Sequence, residues 1–176
     1  MEIRKETQQD YKEIYSFVKT AFETAKVSDG DEQDFVERLR AGKCYISELA
    51  LVATDNNRIV GHIMLTKLSI NKIDGGVFNA LLLAPLAVEL SYRNKGLGAE
   101  LINKSFELAK ELGYTAVFLC GDPAYYSRFG FKTSADFGIT NTNGIPDMYS
   151  QACELVPNAL DGIEGTFDFM QSDNMT

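Results

Sequence analysis

The sequence predicts a mixed α/β domain with a largely antiparallel first half and a parallel-type crossover in its middle. Three observations predict it. Apolar residues recur at helical spacing over residues 14–39 and again from 101 to 112. Apolar runs of strand length and chemistry occupy residues 50–70, 78–88 and 115–121. A single helical pattern separates the last two runs, which is how a strand–helix–strand crossover reads. The length of 176 residues suits one domain, residues 1–176, with a sizeable core.

"MEIRKET" alternates Ile3 with charged neighbours and reads as a short edge strand. Ile14, Phe17, Val18, Ala21 and Phe22 then mark an amphipathic helix started by Thr7 or Asp10. "SDGD" interrupts it, and Asp31 to Leu39 forms a second helix with Phe35, Val36 and Leu39 inside and Gly42 as its stop. Two apolar runs around Asp55-Asn56-Asn57 read as a hairpin, and "KIDGG" as a further turn. "FNALLLAPLAV", Phe78 to Val88, is apolar throughout, as in a central strand covered on both faces. Pro85 cannot donate to a ladder, so the strand should bulge or splay there. Leu101, Ile102, Phe106, Ala109 and Leu112 give the next helix, ended by Gly113. "TAVFLCG" is a second buried strand, whose Cys120 reads as a buried, inert thiol. Asp122-Pro123 opens a short helix, with Asp as cap and Pro at the first position. "GFK" begins a strand, residues 134–148 read as a loop, and "YSQACELV" and "GIEGTFDF" as late strands or edges.

Seventeen Lys and Arg against 25 Asp and Glu leave a net charge of −8, which argues against nucleic acid as a partner. No apolar run approaches the roughly 20 residues that span a membrane. The first ten residues carry no apolar core of a signal peptide, so a cytoplasmic setting is expected. The three cysteines, Cys44, Cys120 and Cys153, are dispersed, and His62 is the one histidine. A zinc site or any other metal site is therefore not expected, and His62, in an apolar strand, reads as structural.

The chemistry concentrates in "SYRNKGLGAELI", residues 91–102. Two glycines one residue apart, beside Arg93 and Lys95, open a helix whose first N–H groups lack partners and attract anions. A P-loop spacing is absent. The dinucleotide fingerprint lacks its third small residue, because Leu101 stands there. The pattern [QR]-x-x-G-x-[GA] is met in full by Arg93-Asn94-Lys95-Gly96-Leu97-Gly98, a loop in which successive N–H groups and the helix dipole hold a pyrophosphate.

"LAVELSYRNKGLGAELI", joined at the proper distance to Tyr126-Ser127-Arg128-Phe129-Gly130-Phe131, resembles the GCN5-related N-acetyltransferase (GNAT) family, in its bacterial YhbS-like branch. The resemblance spans about residues 1–133 and implies a mostly antiparallel sheet with a central splayed pair of parallel strands flanked by helices. It implies an acyl-CoA-dependent N-acetyltransferase that uses acetyl-CoA as cosubstrate, without metal. Leu86, Ala87 and Val88 would pair with the pantetheine arm, and Arg93, Asn94, Lys95, Gly96, Leu97, Gly98 and Ala99 would hold the pyrophosphate. Tyr126 would lie beside the sulfur and serve as general acid, with Tyr125 competing for that role because "GDPAYY" replaces the commoner lead-in. The N–H of Val88 would receive the oxyanion, and Glu89 is the nearest acidic candidate for the general base. The expected partner is a small-molecule or peptide amine, with neither nucleic acid nor membrane, and a homodimer is an assembly the family often forms. The rival expectation is a CoA-binding or sensing module without turnover.

Overall fold

Asn56 and Asn57 both adopt left-handed backbone, with φ of 51° and 61°. A two-residue turn of that kind matches the twist of the strands it joins, and here it links β2 (Ala50–Asp55) antiparallel to β3 (Arg58–Lys72). The structure is a computed structural model that describes residues 1–25 and 28–171. β1 (Glu2–Lys5) lies outside β2, and β4 (Val77–Val88) returns antiparallel along β3 after the turn at Asp74-Gly75-Gly76. α1 (Tyr11–Glu23) and α2 (Glu32–Ala41) bury Ile14, Val18, Val36 and Leu39 on one face of these strands, against Val52, Met64 and Ala87.

α3 (Leu97–Glu111) covers the opposite face with Leu97, Leu101 and Ile102. Its close approach depends on Gly61 of β3. A methyl group added there would stand 2.9 Å from Leu101 Cδ1 and 3.2 Å from Ala53 Cβ. Gly61 pairs with Val88, the last residue of β4, so this contact seats the start of α3 beside the end of β4.

β5 (Ala116–Cys120) runs parallel to β4, and the pairs Leu81↔Val117 and Leu82↔Phe118 join them. Beyond these pairs each strand keeps its outer neighbour and loses the other. β4 stays with β3 as far as Gly61↔Val88, and β5 stays with β8 (Ser150–Glu154) as far as Cys120↔Ser150. The register of β4 slips between Leu83 and Leu86, across the cis Ala84–Pro85 bond. The result is the central splayed pair that Pro85 foreshadows. Cys120 is exposed rather than buried, because β5 has lost its β4 neighbour there.

α4 (Pro123–Tyr126) follows β5, and β6 (Lys132–Thr133) pairs with β8. Residues 134–148 are not simply a loop. They contain β7 (Ile139–Asn141), which runs parallel to β9 (Gly165–Phe167), and β9 in turn pairs antiparallel with the end of β3. Ile139, Phe167, Phe118 and Leu160 close a buried cluster there. Among the described residues the strand order is β1-β2-β3-β4-β5-β8-β6, with β9 on β3 and β7 on β9. The architecture is thus mixed α/β, mostly antiparallel, with one parallel central pair. No described helix is long and apolar enough to cross a membrane.

Candidate active site

The end of β4 presents its backbone to the opening between the splayed strands. Glu89 N–H donates to Val60 C=O at 2.9 Å, which makes Glu89 and Val60 a hydrogen-bonded pair. Antiparallel pairs alternate, so His62 and Ala87 also exchange bonds, while Gly61↔Val88 and Ile63↔Leu86 do not. Leu86 and Val88 therefore turn their main-chain groups toward the β5 side, and Ala87 turns its own toward β3. Arg93 Nε donates to Val88 C=O at 3.0 Å, and its Nη2 donates to Ala21 C=O at 2.7 Å. The Val88 carbonyl is thus satisfied, and its N–H faces the opening.

The loop before α3 is a run of donors. Asn94 and Gly96 have φ of 60° and 90°, and Gly96 is the N-cap of the helix. The first helical bond is Glu100 N–H to Gly96 C=O at 3.0 Å. The N–H groups of Asn94, Lys95, Gly96, Leu97, Gly98 and Ala99 make no hydrogen bond among the described residues. Alternating backbone of this kind, at the positive end of a 15-residue helix, forms a concave anion cradle. The side chain of Arg93 turns away from it toward α1, so only the exposed Lys95 carries a cation on the loop itself.

Across the opening, Asp122 caps α4 by accepting from Ala124 N–H at 2.9 Å. Gly121 before it is held at both main-chain groups: its N–H donates to Tyr149 C=O, and its C=O accepts from Gln151 Nε2. A methyl at Gly121 would stand 2.7 Å from Tyr126 Cε2, so glycine there lets the Tyr126 ring lie against the chain. The ring also meets Tyr125 and Phe131 edge-on. Burial pushes the Tyr126 hydroxyl up from its ordinary pKa, aided by Tyr125 and Asp122, so it is a neutral donor at pH 7. Tyr125 reaches further, with its hydroxyl against Gly98 of the donor loop. Glu89 accepts from Arg58 Nη1 at 3.1 Å through Oε1, while its buried Oε2 has no partner.

Sequence reasoning missed a second assembly. The Glu6 carboxylate accepts from Arg40 Nε at 2.8 Å, Tyr45 Oη at 2.9 Å and His62 Nε2 at 2.9 Å, and the side chains of Glu6, Arg40 and His62 are buried. Burial would raise the Glu6 pKa, but the bonds from His62 and Arg40 outweigh it and hold it at about 2. Residues 34 to 56 positions apart meet here, so no local pattern signals the cluster.

A splayed parallel pair, a donor loop leading into a helix, and a tyrosine helix opposite define an acetyltransferase of the GNAT class. Residues 2–134 match the family model described as an acetyltransferase (GNAT) domain, and the chain belongs to that family. It is 32% identical to the N-acetyltransferase YhbS of Escherichia coli K12 over 127 residues, 72% of this chain and 74% of that one. The crystal structure of E. coli YhbS in complex with CoA superposes with a TM-score of 0.86 at 30% identity, covering 98% of this chain and 91% of that one. A GNAT acetyltransferase of Brucella melitensis in complex with acetyl-CoA gives 0.78 at 29% identity, covering 97% and 96%.

Proposed function

We propose that this protein moves an acetyl group from acetyl-CoA to a primary amine, by direct attack in a ternary complex. The observation that carries the proposal is the unbroken run of free N–H groups from Asn94 to Ala99, beside the outward N–H of Val88. The run suits a diphosphate, and the single N–H suits the oxyanion of a tetrahedral intermediate. The CoA and acetyl-CoA complexes of the two relatives support the same cosubstrate here.

The amine nitrogen forms a bond to the thioester carbon, and collapse of the intermediate breaks C–S, leaving the electron pair on sulfur. Tyr126 gives its hydroxyl proton to that sulfur and is restored by the second proton, which the attacking nitrogen sheds as it becomes an amide. A lysine-like amine is mostly protonated at pH 7 and must first lose a proton. Glu89 takes it, directly or through water, and Leu86 and Val88 align the pantetheine arm so that amine and thioester meet. We assign the reaction to the cytoplasm, where acetyl-CoA is available. A non-catalytic CoA-binding module is favoured by one observation, the Arg58 bond already on Glu89.

Titration calorimetry with acetyl-CoA, followed by thiol release across a panel of primary amines, tests the proposal. Saturable binding with thiol release for at least one amine is the expected result. No binding at hundreds of micromolar overturns the acetyl-CoA reading, and binding without release across the panel leaves the non-catalytic module.

A further inference from the structure

Tyr125 has no part in the chemistry above, yet it closely approaches the donor loop. A methyl placed on Gly98 would stand 2.5 Å from the Tyr125 hydroxyl oxygen and 3.8 Å from the ring carbon that bears it. The hydroxyl, not the ring, therefore occupies the space that a side chain at Gly98 would need. We propose that the Tyr125 hydroxyl and the Arg128 guanidinium form a side-chain wall of the phosphate site, facing the main-chain donors of residues 94–99 and contacting a phosphate group of CoA. The proposal rests on the acetyl-CoA reading.

Donor and acceptor counts support it. The hydroxyl makes no hydrogen bond among the described residues. Burial pushes its pKa up, so it is protonated and can donate. Beside it lies Gly98, in the loop whose six N–H groups are also without acceptors among the described residues. Loop and hydroxyl thus present donors that no acceptor among the described residues meets, and a bound phosphate oxygen supplies one.

Charge supports it independently. The Arg128 guanidinium lies 4.8 Å over the Tyr125 ring, and its Nε donates to Tyr125 C=O at 2.9 Å. One edge of the fork is anchored, and the remaining N–H groups stay exposed for a phosphate. Arg93 directs its guanidinium to two carbonyls instead, and Glu100 in the first turn of α3 opposes an anion. In a chain of net charge −8, the exposed Arg128 joins Lys95 in supplying the local positive charge that the loop lacks.

The test is calorimetry on wild type, Tyr125→Phe and Arg128→Gln with acetyl-CoA, its 3′-dephospho form and acetyl-pantetheine. Tyr125→Phe keeps the ring that meets Tyr126 and Phe129, so the fold around it persists. Each variant is expected to bind acetyl-CoA about tenfold more weakly, the scale of one hydrogen bond to a charged group. Binding of acetyl-pantetheine, which has no phosphate ester, is expected to stay unchanged. A loss that persists with the dephospho form assigns the contact to the diphosphate, and a loss that vanishes assigns it to the 3′-phosphate. Gly98→Ala is expected to cost less in the Tyr125→Phe background than in wild type, because its methyl then makes only ordinary contacts, with the ring and Val88. Unchanged acetyl-CoA affinity in both variants overturns the wall, as does equal weakening of acetyl-pantetheine. Tighter binding by Tyr125→Phe also overturns it, since the hydroxyl would then be a plug. A wild type that binds none of the three ligands refutes the acetyl-CoA reading itself, and the wall with it.

Discussion

Tyr126 owes its pose to what Gly121 lacks. The ring lies where a side chain at Gly121 would collide, and hydrogen bonds from both sides pin that glycine's backbone. The hydroxyl is thereby fixed on a rigid turn, and burial keeps it protonated. Tyr126→Phe leaves the packing and removes only the proton donor. Turnover should fall about 100-fold or more, with little change in the KM for acetyl-CoA. Steady-state kinetics checks this, and equal turnover moves the acid role to another group. The residues of the donor loop were legible from their spacing, because a nest depends on neighbours in sequence. The direction of the Arg93 side chain was not legible. It is set by a carbonyl on α1, 72 positions away, which no motif encodes.

Helix α3 shows how an element is placed by its smallest contact. Gly61 admits Leu101 and Leu97 so closely that one added methyl must push the helix or the strand. Gly61→Ala should cost about 1–3 kcal/mol through overpacking. It should also weaken acetyl-CoA binding, because the donor loop rides on that helix. Thermal denaturation and calorimetry together check this, and a destabilised variant with unaltered affinity would separate the loop from the packing. The longer elements were readable from local rules: the Asn56-Asn57 hairpin from turn chemistry, and α1 and α3 from 3.6-residue periodicity. β7 was not readable. It has three residues, and each pairs with a residue of β9 26 positions further on, Ile139 with Gly165 for one, so its pairing is decided by tertiary contacts. Cys120 was misread for a related reason, since a continuous apolar run does not tell where a neighbouring strand departs.

At the scale of the whole molecule, the Glu6 cluster ties the segment after β1 to α2 and β3 through buried hydrogen bonds. The folded-state pKa of about 2 lies below the ordinary 4.5, so the bonds to Glu6 stabilise the fold fully above pH 4.5. That contribution, on the order of 3 kcal/mol, is lost as the pH falls from about 4.5 toward 2. Asp10, held low by Arg4 and Thr7, acts in the same direction. The melting temperature should therefore be nearly flat from pH 7 to 5 and drop steeply below 4.5. Glu6→Gln should melt lower at pH 7 and show a shallower acid decline. Scanning calorimetry across pH checks this, and parallel curves for the two proteins would remove Glu6 from the acid response.

The same carboxylate bears on handling the protein. Glu6 follows directly on the edge strand, and its hydrogen-bonded oxygens are the acceptors for Arg40 in the interior. Clipping the first six residues, as a careless protease or an over-trimmed expression plasmid would, takes away the carboxylate that meets Arg40 Nε and Nη2 and leaves that guanidinium to Glu37 and the Tyr11 ring. Purification handles are safer appended than substituted at the amino end.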